Sequence, residues 1–207
     1  PVPPPAPELD QSRRTRWSRW IVAAGLLLAS GAALVLWILA QPPASWHVEQ
    51  GALHVSNRLG WEIWTHRFFD SLPVESSRDP AAQVPGGHVV LHDLDGDGVP
   101  EVLYCAFASD RNPDTAFYLF NHDGTTRKVV RPSQRLTYGE GPFAGPWLPH
   151  RVFVLGQSIF VVFIHGQEYP TLLLELDAQG NTVAEYWSDG YIETVVRGRW
   201  NGRDVLF

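Results

Sequence analysis

The chain has 207 residues, of which 16 are Lys or Arg and 22 are Asp or Glu, and its formal net charge is −6 at pH 7. This acidic balance argues against a nucleic-acid partner, because contacts to a phosphate backbone need a broad cationic surface. The single cysteine, Cys105, excludes an internal disulfide framework and a metal site made of cysteines alone.

The N-terminal segment, residues 1–19, is rich in Pro and then in Arg. Its first part, Pro1–Asp10, contains too much Pro to fold and predicts an extended linker. Because the sequence contains no Met and starts inside this segment, we expect it to belong to a longer protein with a further domain upstream. We interpret residues 1–19 as a juxtamembrane linker.

The apolar segment that follows predicts a transmembrane helix over residues 20–40. Residues 21–40 carry no charge, and at ~1.5 Å per helical residue they reach ~30 Å, the thickness of the hydrocarbon core. Four arginines lie between positions 13 and 19, whereas the next Lys or Arg is Arg58. The positive-inside rule therefore places the linker in the cytoplasm and residues 41–207 outside, in a single-pass protein of the cell membrane. A cleaved signal peptide is the alternative, although the apolar run is longer than such a peptide needs.

The predicted membrane helix carries a stripe of small residues, Gly25, Ala29 and Ala33, at four-residue spacing. Such a stripe lets two helices approach closely in a bilayer. We interpret it as a contact through which two copies can form a homodimer.

Beyond Trp46 the apolar residues come in short runs bounded by Gly, Pro, Asn and Asp, without a sustained helical period. These runs predict an all-β domain over residues 41–207. The predicted strands are 52–55, 61–68, 88–91, 101–107, 116–120, 127–130, 151–155, 159–164, 171–176, 182–187, 191–196 and 204–207.

A turn motif recurs between these strands, with Asn or Asp three residues before Gly. It occurs at Asn57–Gly60, Asn121–Gly124 and Asp177–Gly180, and its Gly recurs after 64 and then 56 residues. The Asx side chain caps the turn and Gly supplies a positive φ, as in β-hairpins. Units of this size hold about four strands and are typical of β-propeller blades. Residues 46–207 hold about three units, whereas closed propellers have ~4 to 8 blades. We therefore expect either that further blades are missing from this chain or that the domain is an open, propeller-like array of sheets.

An acidic loop, HDLDGDGVPE, lies between the strands predicted at 88–91 and 101–107. Carboxylates at alternate positions converge when Gly98 allows a tight turn, and a backbone carbonyl and a further carboxylate complete an oxygen shell. Hard oxygen ligands without sulfur favour Ca²⁺ over Zn²⁺. An EF-hand is excluded for two reasons. The flanks are predicted strands, and position 12, counted from Asp93, is Tyr104 where an EF-hand has Glu. We predict one calcium site with ligands from Asp93, Asp95, Asp97, Val99 and Glu101.

The strand, loop and strand over residues 89–125 resemble the FG-GAP or VCBS repeat, the blade unit of integrin-alpha-type β-propellers. The resemblance rests on the pattern D-x-D-G-D-G-x-x-E that starts at Asp93 and on the turn at Asn121–Gly124. It implies that a calcium ion stiffens the turn between two strands of one blade. It also implies a role in adhesion or sensing.

We therefore expect a membrane-anchored, extracytoplasmic recognition module that presents loops such as Asp70–Gly87 and Gln134–His150 to a protein or glycan ligand. The competing class is an anchored hydrolase or lyase acting on polysaccharide, which requires two carboxylates ~5 to 9.5 Å apart in a pocket. A purely structural spacer, the third class, predicts no concave site. Ser158 lacks the closing Gly of a nucleophile elbow, and no His pair has metal-ligand spacing, so we expect no enzymatic activity.

Three tryptophans of the predicted β domain lie in or next to turns and loops. Trp61 and Trp64 follow the turn at Gly60, where we expect them to pack neighbouring blades together. Trp147 lies in a Gly/Pro-rich loop, where core packing and an exposed ligand contact both fit the sequence. Cys105 lies in an apolar strand and is interpreted as a small core residue.

Overall fold

The computed structural model of the chain describes residues 11–68, 75–77, 88–107, 113–138, 141–165, 168–201 and 203–206. One helix and sixteen strands lie in these ranges, and the chain divides into two compact units, Pro1–Gln41 and Pro42–Phe207. The elements are, in chain order, α1 (Gln11–Leu39), β1 (Pro43–Glu49), β2 (Ala52–Asn57), β3 (Glu62–Arg67), β4 (Glu75–Ser77), β5 (Val89–His92), β6 (Glu101–Ala106), β7 (Ala116–Phe120), β8 (Thr126–Val130), β9 (Arg135–Tyr138), β10 (Gly141–Ala144), β11 (Leu148–Leu155), β12 (Ser158–His165), β13 (Glu168–Leu176), β14 (Thr182–Ser188), β15 (Arg197–Trp200) and β16 (Arg203–Leu206).

Helix α1 contains the predicted membrane segment but starts earlier than expected, at Gln11 instead of residue 20. Within it, Trp20–Ile38 has a mean hydropathy of 2.4 and is 0% buried. This segment is long and apolar enough to cross a membrane, and a signal sequence near an N-terminus has the same properties. The predicted linker at Pro1–Asp10 lies outside the described residues.

The β domain consists of small antiparallel sheets, three of which have four strands. We name them sheet I (order β3-β2-β1-β4), sheet II (β5-β6-β7-β8) and sheet III (β11-β12-β13-β14). Two further pairs, β9–β10 and β15–β16, complete the described strands. In sheets II and III each strand pairs with the next along the chain. The predicted all-β class is confirmed, and the described strands do not form a closed ring.

Side chains between successive sheets form separate cores. In β7, Tyr118 and Phe120 pack in the core shared with sheet I, whereas Phe117 and Leu119 pack in the core shared with sheet III. A strand buried on both faces has no polar position, which explains the sequence AFYLF. A third core lies on the outer face of sheet III, and it joins Phe153, Phe160, Val162 and Leu173 to Val195 and Leu206.

The Asx-x-x-Gly turns form three equivalent hairpins, as predicted. Gly60, Gly124 and Gly180 have φ values of +77°, +83° and +79°, a region that favours Gly. In each turn the Gly amide donates to the carbonyl of the Asx residue, and the Asx amide donates to the carbonyl of the residue after Gly. We call the strand that follows each turn its return strand; these strands are β3, β8 and β14. Each return strand has a β-bulge, at residues 63, 127 and 183 respectively. The same local sequence signal thus gives the same geometry three times.

The return strand of one sheet packs against the hairpin turn of the next sheet. Trp64 of β3 donates its Nε1–H to the carbonyl of His122 at 2.9 Å, and its ring lies against Gly124. Lys128, at the equivalent position of β8, lies against Gly180. These two contacts join sheet I to sheet II and sheet II to sheet III, and they confirm the packing role predicted for Trp64.

Other sequence predictions differ from the structure. Residues 191–196 are not a strand, and residues 135–144 contain β9 and β10, which the Gly/Pro-rich sequence concealed. Trp61 is 60% exposed, so its predicted packing role is wrong. Trp147 is buried and donates its Nε1–H to the carbonyl of Gln134 at 3.0 Å, so it belongs to the core.

His66 and His150 are half-buried, and we expect them to make the domain less stable in mild acid. Burial lowers the pKa of His66, which packs against Phe120, and burial together with Arg151 and His88 lowers the pKa of His150. The pKa of each histidine in the folded state lies below its unfolded value of about 6.5, so the unfolded state binds more protons in mild acid. The free energy of unfolding therefore falls as the pH drops from about 6.5 towards the folded pKa. We expect a lower melting temperature at pH 5.5 than at pH 7.5, and a smaller difference in His150→Gln. A melting temperature independent of pH over this range would contradict the prediction.

Candidate metal centre

Residues 93–100 of the acidic loop join β5 to β6 as a tight hairpin. Gly96 and Gly98 have φ values of +81° and +86°, which Gly adopts without strain. The Oδ1 atom of Asp93 accepts the amides of Gly96 at 2.7 Å and Asp97 at 3.1 Å, and its Oδ2 accepts the amide of Gly98 at 2.8 Å. One carboxylate and two glycines therefore define the shape of the loop.

Three of the four predicted carboxylates converge. Asp93, Asp95 and Glu101 each place an oxygen within 4.8 Å of the others. Calcium–oxygen distances of ~2.3–2.6 Å put two oxygens on one ion at most about 5 Å apart, so this spacing fits a shared cation. Asp97 is not part of the group, and its Oδ1 accepts the amide of Val99 at 2.7 Å.

A cationic side chain of the protein lies beside these carboxylates. Arg127 of β8 places its Nη2 atom 2.6 Å from Glu101 Oε1 and 3.7 Å from Asp95 Oδ2. Glu101 is 2% exposed, and its Oε2 accepts the amide of Leu94 at 2.9 Å. A buried carboxylate needs such compensation. Sequence reasoning missed Arg127, because 26 residues separate it from Glu101 and no local pattern links the two.

Arg127 also links the acidic loop to two hairpin turns. Its Nε donates to Asn121 Oδ1 at 2.6 Å, and its Nη1 donates to the carbonyl of Ala178 at 3.1 Å. Asn121 begins the turn of sheet II, and Ala178 lies in the turn of sheet III. Because a guanidinium donates in fixed directions, this side chain couples the loop to the junction between the two sheets.

The chemistry of the donor set fits one hard divalent cation. The group consists of carboxylates, without sulfur or imidazole, which suits Ca²⁺ or Mg²⁺. Oxygens of Asp93 and Glu101 already accept hydrogen bonds, but a carboxylate oxygen keeps a second lone pair. The Arg127 guanidinium repels a cation placed beside it, which weakens the site. We therefore expect modest affinity.

Cys105, the single cysteine, is not part of a site. It is buried, as predicted, and burial raises the pKa of its thiol, so it is an unreactive core residue.

A cleft of about 650 Å³ on the outer face of sheet III is lined by Phe160, Glu175, Tyr186, Arg197, Val205 and Leu206. Glu175 is the single carboxylate among these lining residues. The loop predicted at Asp70–Gly87 lies outside the described residues, apart from β4.

Comparison with protein-family models, with curated proteins and with solved structures found no match to the chain. The protein is therefore characterised by its architecture. The chain combines an apolar N-terminal helix with antiparallel four-stranded sheets and an acidic cluster in the first hairpin of sheet II.

Proposed function

We propose that the chain is a membrane-anchored, extracytoplasmic recognition module in which the acidic loop holds one calcium ion that stiffens a propeller-like scaffold. Helix α1 is the anchor, with its Arg-rich end in the cytoplasm. The observation that carries the proposal is the convergence of Asp93, Asp95 and Glu101. The ion has a structural role, and a protein or glycan ligand binds elsewhere on the β domain.

The position of the loop supports a structural role for the ion. Through Arg127 the carboxylates are connected to the turns of sheets II and III, so charge compensation at the loop affects the junction between these sheets. A site with a dissociation constant of ~0.1 mM, in ~1 mM Ca²⁺, contributes ~1.4 kcal/mol to folding. This contribution is enough to order a hairpin.

The alternative function, an anchored polysaccharide hydrolase or lyase, lacks support from the cleft on sheet III. A glycosidase needs two carboxylates facing one sugar. Among the described lining residues of this cleft, Glu175 provides one. We therefore retain the recognition module as the proposed function.

The calcium proposal predicts a thermal shift that depends on Asp95. The experiment compares melting of the full chain in detergent with Ca²⁺ and with a chelator. We expect calcium to raise the melting temperature of the wild type by about 3–6 °C, as ~1.4 kcal/mol does in a domain of this size. Asp95→Asn keeps the shape of the side chain but removes its charge, and it should abolish the shift.

Asp123→Asn is the matched control. Asp123 is also an exposed loop carboxylate, and its Oδ1 accepts the amide of Thr125 at 3.0 Å, but it lies outside the acidic cluster. This variant should show the full calcium shift. The proposal is wrong if calcium stabilises none of the three folded proteins, or if it stabilises Asp95→Asn as much as the wild type.

A further inference from the structure

A pair of histidines lies on the face of sheet I that points away from the core shared with sheet II. His47 of β1 and His54 of β2 are directly opposite each other in the antiparallel register. The residues that flank them in sequence belong to the core, namely Trp46, Val48, Leu53 and Val55. Because side chains alternate along a strand, both histidines lie on the other face. Their imidazole rings stack there, with centroids 4.5 Å apart and 5° between the ring planes.

The hydrogen bonds of His54 determine which of its ring nitrogens has a free lone pair. Its Nδ1 atom lies 2.7 Å from Glu62 Oε2 and 3.0 Å from Thr65 Oγ1. The Thr65 hydroxyl donates to Glu62 Oε1 at 2.6 Å, so its oxygen faces Nδ1 as an acceptor. Because both neighbours of Nδ1 are acceptors, this nitrogen carries the proton. In the neutral ring the lone pair therefore lies on Nε2.

The surroundings of His54 match the outer shell of a metal-ligating histidine. Such a histidine donates its second ring N–H to a carboxylate, which fixes the tautomer and makes the ligating nitrogen more basic. Glu62 provides this carboxylate, and the hydrogen bond from Thr65 lowers the pKa of Glu62, so it is charged at neutral pH. The His54 side chain is 23% exposed, which leaves access for an ion.

The distance between the two rings also suits a shared ion. Two nitrogens on one tetrahedral zinc ion lie about 3.4 Å apart, because each Zn–N bond is about 2.0–2.1 Å. With ring centroids 4.5 Å apart, rotation of the His47 ring out of the stack allows a nitrogen of each imidazole to meet that distance. The strand register brings these two side chains together, so no helical ligand spacing in the sequence indicated them.

We propose that His47 and His54 bind one borderline divalent transition-metal ion, such as Zn²⁺, through their ring nitrogens, with Glu62 as the outer-shell acceptor. Imidazole suits Zn²⁺, Cu²⁺ and Ni²⁺, whereas Ca²⁺ takes oxygen ligands, so this ion differs from that of the acidic loop. Water completes the coordination and leaves positions open for a further ligand. The site lies on sheet I and does not depend on calcium binding in sheet II.

The test is a titration of the full chain in detergent with Zn²⁺, in competition with a zinc-selective chromophoric chelator. Excess Ca²⁺ is present to keep Zn²⁺ off the acidic loop. We expect one saturable zinc site per chain in the wild type. Glu62→Ala should weaken zinc binding about tenfold, as loss of an outer-shell partner does. His47→Gln and His54→Gln should each weaken it by a larger factor, because a ligand is lost.

His122→Gln is the matched control. His122 is an exposed histidine in the turn between β7 and β8, and this variant should bind Zn²⁺ as tightly as the wild type. Circular dichroism checks that each variant is folded.

Three outcomes would overturn this proposal. The first is absence of saturable zinc binding in the folded wild type. The second is binding that His47→Gln and His54→Gln leave unchanged, because the ion then lies elsewhere, for example at His88 and His150, whose ring centroids are 5.9 Å apart. The third is an unchanged affinity in Glu62→Ala, because the carboxylate then does not prepare His54. None of these outcomes bears on the calcium shift, so the two proposals fail independently.

Discussion

Replacing Arg127 by Met is expected to lower the free energy of unfolding by about 3–5 kcal/mol when divalent cations are chelated. The reason is the 2% exposure of Glu101, whose Oε1 accepts a hydrogen bond from Arg127 at 2.6 Å. Without the guanidinium a buried carboxylate is left uncompensated, and the links to Asn121 and Ala178 are lost as well. Chemical denaturation of the full chain in chelator measures the change.

Arg135→Met is the control for this prediction, because Arg135 is an exposed arginine on β9. Its effect should stay within about 0.5 kcal/mol, as for most surface substitutions. Arg127→Met should also bind calcium more tightly than the wild type, because a repelling charge has been removed from the site. A loss below about 1 kcal/mol for Arg127→Met would show that the ion pair does not hold the junction together.

Gly124→Ala is expected to destabilise the domain more than the same substitution at the equivalent turn of sheet I. Both Gly124 and Gly60 have positive φ, so Ala is strained at either position by about 1–2 kcal/mol. At Gly124 a Cβ would also lie 2.7 Å from the ring of Trp64, whereas at Gly60 it meets nothing within 4 Å. We expect an additional loss of about 1–3 kcal/mol at Gly124 from overpacking.

The comparison of the two alanine variants isolates the contact between sheets I and II. Denaturant unfolding of Gly60→Ala and Gly124→Ala in the same buffer gives the difference directly. Equal losses in the two variants would mean that Trp64 moves away without cost, and that this contact does not join the sheets.

The local features of this fold could be read from the sequence because their causes are local. Each Asx-x-x-Gly turn contains its own capping side chain and its own Gly at positive φ, so Asn57–Gly60 and its two counterparts were predictable. The acidic loop is similar, since Gly96 and Gly98 lie inside the segment that they shape. The strand β7 was recognised because burial on both faces leaves it as an uninterrupted apolar run.

The tertiary features were less accessible, because they depend on contacts between distant residues. Arg127 reaches Glu101 only through the pairing of three strands, β6, β7 and β8, and the bulge at residue 127 sets its direction. Trp61 and Trp64 both follow the turn at Gly60, and the sequence does not distinguish their roles. In the structure Trp64 packs against the next turn, whereas Trp61 is exposed. The sequence around Trp147 has the Gly and Pro content of a surface loop, although the neighbouring strands bury this side chain.

Whether the acidic loop binds calcium is measured by a calorimetric titration of the full chain in detergent with Ca²⁺. We expect saturable binding of one ion per chain in the wild type, retained in Asp123→Asn and lost in Asp95→Asn. Absence of saturable binding in the folded wild type, or unchanged binding in Asp95→Asn, would contradict it. The acidic loop would then be a turn whose carboxylates are compensated by Arg127 alone.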